Sequence, residues 1–76
     1  MKIYGHELNN VELLELSEAS VVADVEELRA LADFFTRAAD RKEGLIDNTA
    51  DHIHFRDFWS GWKSESADVI VMTVDI

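Results

Sequence analysis

Residues 24–44 read DVEELRALADFFTRAADRKEG, and this stretch decides the fold. Asp24 precedes an apolar-periodic run and has Glu27 three positions on. That is the capping-box pattern, with aspartate in the cap role. Val25, Leu28, Leu31, Ala32, Phe35 and Ala38 recur at helical spacing and form an apolar stripe. Asp24, Glu26 and Glu27 crowd the start, whereas Arg37, Arg41 and Lys42 crowd the end. The helix dipole favours that distribution. Gly44 followed by Leu45 supplies a C-terminal stop with a hydrophobic latch. The spacing predicts a helix over residues 25–42.

On the N-terminal side, residues 2–5 alternate and read as a short extended segment. Asn9-Asn10 is a turn signal, because asparagine tolerates positive φ and bonds its own backbone. Residues 11–17 read as a strand with Leu14 and Leu16 on one face. A β-hairpin across residues 6–10 joins the two runs, and Val21-Val22 extends the second or forms a short strand of its own. On the C-terminal side, residues 45–51 read as a loop and residues 52–56 as a strand. Residues 57–67, with Trp59 and Trp62 around Gly61, read as an irregular connection. Residues 69–76 form a β-branched run and a strong strand. The expectation is a single α+β domain over residues 1–76, in the order β-β-α-β-β. One helix would lie across a mainly antiparallel four-stranded sheet. Ile3, Leu14, Leu16, Ile53, Phe55, Ile70, Met72 and Val74 would form the inner face.

Composition narrows the function. The 76 residues hold seven basic and sixteen acidic side chains, a net charge of −9. Nucleic-acid binding is not expected, because affinity there comes largely from neutralising phosphates. No apolar run reaches the ~18 residues of a membrane span, and the start turns polar too early for a signal peptide. With no cysteine there is no disulfide framework, thiolate metal site or cysteine nucleophile. Nucleophile elbows, phosphate loops and His-Glu-x-x-His are also missing, so the chain reads as a non-enzyme.

A single helix covers one face of a sheet. The other would display Tyr4, Leu13, His52, His54, Val69 and Val71, with Trp59 and Trp62 nearby. Mixed apolar and aromatic patches of this kind mark association sites. Those eight residues form the expected binding surface, either for a protein partner or for a second copy in a homodimer of structural role. His52 and His54 stand two apart on a strand, so both imidazoles point to one side. As His-x-His they are the candidate metal pair, with zinc the expected ion in that alternative.

The run Asp51-His52-Ile53-His54-Phe55, followed by Trp59, Trp62 and Ala67-Asp68-Val69-Ile70-Val71, resembles immunity protein family thirty-two of bacterial polymorphic toxin systems. The likeness spans about residues 12 to 74. It also includes the strand Glu12-Leu13-Leu14-Glu15-Leu16 and the capped helix. The resemblance implies a cytoplasmic protein that neutralises a cognate toxin by binding it. An acidic surface suits a basic toxin, since opposite charge speeds the encounter.

Overall fold

The computed structural model describes residues 1–44 and 51–73. The elements run β1 (Ile3–Gly5), β2 (Leu14–Leu16), α1 (Val25–Glu43), β3 (Asp51–His54), α2 (Phe55–Phe58) and β4 (Ile70–Thr73). The class is α+β, as expected. Among the described residues the single four-stranded sheet is not found: β1 pairs only with β2, and β3 only with β4, both antiparallel.

The helix begins where the sequence places it. Asp24 is the N-cap, and its side chain accepts from the Glu27 N–H at 2.8 Å. That bond satisfies one of the amides a helix start leaves unpaired. At the other end the Gly44 N–H donates to Asp40 O at 3.1 Å, with Gly44 in ordinary right-handed geometry. Leu45 lies outside the described residues, as do residues 46–50 of the expected 45–51 loop, whose last residue, Asp51, already belongs to β3.

The face that packs keeps Leu31 and Ala38 of the expected stripe but is rotated toward Ala30 and Phe34. Ala30, Leu31, Phe34 and Ala38 are buried, whereas Val25, Leu28 and Phe35 are 66%, 48% and 51% exposed. Phe34 and Phe35 are adjacent, so either could lead the stripe. The residues after β3 decide between them. Phe34 is fully buried and meets Phe55 at 5.4 Å and Phe58 at 5.5 Å between ring centroids. Tilted pairs at that spacing add to the burial itself.

The same contact goes with an early end to β3. The expected strand over 52–56 stops at His54, and Phe55–Phe58 forms one helical turn, α2, where a strand end and an irregular connection are expected. α1 packs against β4 and α2. Val21 and Val22 are exposed and outside any strand.

The register of β3–β4 also reverses an expectation. Ile53 pairs with Val71, His52 with Met72 and His54 with Ile70. Directly opposed residues share a face. Ile53, Val69 and Val71 therefore pack on the core, and Ile70 and Met72 face outward beside the histidines. β4 is apolar on both faces, so its own pattern cannot choose a side; the histidines of β3 choose it. Val74 lies outside the described residues. In the N-terminal hairpin, Ile3 opposes Leu16 and Gly5 opposes Leu14, as expected for one shared face. Asn9 takes φ 59°, the left-handed conformation its turn calls for.

The rotation of α1 has a direct test. Phe34→Ala should cost about 3–5 kcal/mol, and Phe35→Ala about 1 kcal/mol or less in dilute solution. Denaturant titration of both variants reads the difference, and the reverse order would mean the helix packs by its other face.

Candidate functional site

Asp68 organises a side-chain network that spans β3, α2 and the approach to β4. His54 Nδ1 lies 2.7 Å from Asp68 Oδ2, and the Arg56 N–H donates to Asp68 Oδ1 at 3.0 Å. An ionised carboxylate only accepts, so Nδ1 carries the proton. α2 has no side-chain cap of its own at His54. Asp68 supplies that cap from the far side of the tryptophan loop. The Phe55 N–H continues the pairing by donating to Val69 O at 2.8 Å. Partial burial pushes the Asp68 carboxyl up; the His54 and Arg56 hydrogen bonds, with their charges, outweigh it and hold the group below its ordinary value.

His52 and His54 do share one face, with ring centroids 5.6 Å apart. Among the described residues no cluster of three or more His, Asp or Glu side chains stands close enough to hold a metal ion. Beside His54, an open groove of about 220 Å³ is lined by Arg37, Arg41, Ile53, His54, Asp57 and Phe58. Arg41 is already engaged, since its guanidinium pairs with Asp51 through Nε, with Nη2 3.4 Å from the second carboxylate oxygen. The hydrogen bond and charge of Arg41 hold the Asp51 carboxyl low, and Asp51 in turn raises Arg41.

The eight expected binding residues do not form one surface. His52 and His54 lie on the outer face of β3–β4, with Ile70 and Met72 as their neighbours. Val69 and Val71 lie beneath them, against the core. Trp59 and Trp62 fold back on the core as well. Trp59 stacks on Phe55 at 5.5 Å with the rings 21° apart, and the Trp62 indole N–H donates to Ala67 O at 3.0 Å. Gly61 makes this possible: a Cβ there would stand 2.5 Å from the Trp59 ring. Tyr4 and Leu13 are exposed, but they belong to the β1–β2 hairpin. Sequence reading missed Ile70, Met72 and Asp68. The signal for Asp68 was present, as a carboxylate immediately before a β-branched run.

The lowered Asp68 group carries a sign. A carboxyl depressed in the folded state stabilises above its unfolded value, and that contribution is lost as pH falls through the folded one. Asp68→Asn should therefore be less stable than the parent at neutral pH, and the gap should close on acidification through the carboxylate range. Paired thermal melts across pH measure it. A gap that is constant with pH would mean the Asp68 charge has no part in the network.

Among the described residues no helix is long and apolar enough to cross a membrane. No curated protein and no solved structure gave a match to the chain. The family model for Immunity protein 32 matches residues 12–73, a span holding the capped helix, the His-x-His strand, both tryptophans and Asp68. With most of its length inside that match, the chain belongs to the Immunity protein 32 family.

Proposed function

We propose that this protein neutralises a cognate toxin in the cytoplasm by direct, non-catalytic binding. The membership of residues 12–73 in an immunity family carries the reading. The outer face of β3–β4 is the contact surface that fits it best. His52, Ile70 and Met72 are exposed there, and Ile70 and Met72 form an apolar pair flanked by imidazoles. Residues of this mixed character suit the centre of an interface. Val69, Val71, Trp59 and Trp62 support that face from the core side rather than meeting the partner. Tyr4 and Leu13 extend the contact if the toxin reaches the hairpin.

The charge points to a basic toxin. Residues 1–28 hold seven acidic side chains against one basic, six of the nine net negative charges. Such an imbalance raises the association rate with a cation-rich partner and makes it salt-dependent. The metal alternative keeps one observation, the two imidazoles on one face.

Native mass spectrometry of untagged protein from its own host should show a heteromeric mass. The companion, expressed alone, should arrest growth, and co-expression should restore it. Met72→Asp should weaken the pair at least tenfold, about 1.4 kcal/mol. A companion that does not arrest growth, or arrest that co-expression leaves unrelieved, would refute the reading.

A further inference from the structure

The apolar arc of α1 is wider than the face the fold uses. Beside the buried residues runs a second stripe, Val25, Leu28, Ala32, Phe35 and Ala39, and all five are exposed. Their spacing is three, four, three, four, which is the a/d seam of a coiled coil. The helix has 19 residues, about 28 Å at 1.5 Å per residue. The seam therefore runs nearly its whole length.

Size alternates along this seam. The a positions are Val25, Ala32 and Ala39, and the d positions are Leu28 and Phe35. In an antiparallel pair each a faces a d of the other helix. Ala32 then opposes Phe35, and Leu28 opposes Ala39, so the inner layers each set a large side chain against a small one, while Val25 at the seam's end lies level with Lys42. A parallel pair would put Phe35 on Phe35 and Ala32 on Ala32, a bulge beside a void. The seam thus complements itself in one direction.

Charge agrees. Arg29 and Glu43 flank the seam on the same side, seven plus seven residues apart at equivalent heptad positions, and neither has an ion-pair partner among the described residues. Helical side chains lean toward their own N-terminus. In antiparallel helices the two lean toward each other, which brings Arg29 of one copy to Glu43 of the next. The helix is almost neutral, with five acidic and four basic residues, so the charge of −9 lies mainly elsewhere.

We propose that α1 is a homodimer seam, with a second copy of this chain paired antiparallel across Val25, Leu28, Ala32, Phe35 and Ala39 by two-fold symmetry. In a symmetric dimer each contact occurs twice, so one substitution acts at two places. This places self-association on the helix, away from the sheet face expected from sequence, and leaves the outer face of β3–β4 open.

Sedimentation velocity of the full chain over a concentration series tests it, with circular dichroism reporting the fold. The wild type should form dimers, and Leu28→Lys should be monomeric with its helix intact. Arg29→Glu places two like-charge pairs at the seam and should weaken the dimer about fivefold. Glu43→Arg should do the same. Mixed together, these two variants restore both opposite-charge contacts and should form a heterodimer at least as tight as the wild type. A wild type that stays monomeric throughout would overturn the proposal. So would a dimer indifferent to Leu28→Lys, or a mixture no tighter than the separate variants.

Discussion

Phe34 meets Phe55 and Phe58 across the junction between α1 and the turn after β3, and it has no exposed surface. Most other features of the molecule follow from that contact. It sets the rotation of the helix, because burying Phe34 sends Phe35 outward. It ends β3 at His54, because Phe55 and Phe58 reach the helix from one side only as a helical turn. Trp59, stacked on Phe55, extends the same aromatic group into the loop over Gly61. In a chain of 76 residues without disulfides, one such cluster is a large share of the available core.

Asp68 is the polar counterpart of this cluster. It fastens His54 and the Arg56 amide, and so holds the strand-to-helix junction from the opposite chain segment. The aromatic and polar fasteners act on the same four-residue helix, too short to be stable alone. Their combined effect is to fix which side of β3–β4 faces out.

The legible part of the fold was the part encoded locally. Asp24 and Glu27 mark the helix start with a capping pattern whose expected bond is present. Asn9 marks its turn, and Ile3, Leu14 and Leu16 share the face their alternation requires. What failed depended on partners distant in sequence. Two adjacent phenylalanines in α1 leave the stripe ambiguous by about 100° per residue. A β4 strand apolar on both faces has no preferred side until the histidines of β3 pair with it. The site was half visible for the same reason. His52 and His54 were found by their spacing, whereas Ile70 and Met72 look like core residues until the register is known. Tryptophans that sequence alone suggests as contacts are used to close the core.

Among the described residues α1, α2 and β3–β4 make one core, with the N-terminal hairpin outside it. Residue-resolved amide hydrogen exchange tests that most directly, since core amides open only by global unfolding while peripheral elements open locally. Amides at the centre of α1 and in the β3–β4 ladder should share the slowest rates, and those of β1–β2 should exchange measurably faster. Equal protection of both sheets would contradict it, and would mean that the hairpin is part of the same cooperative core.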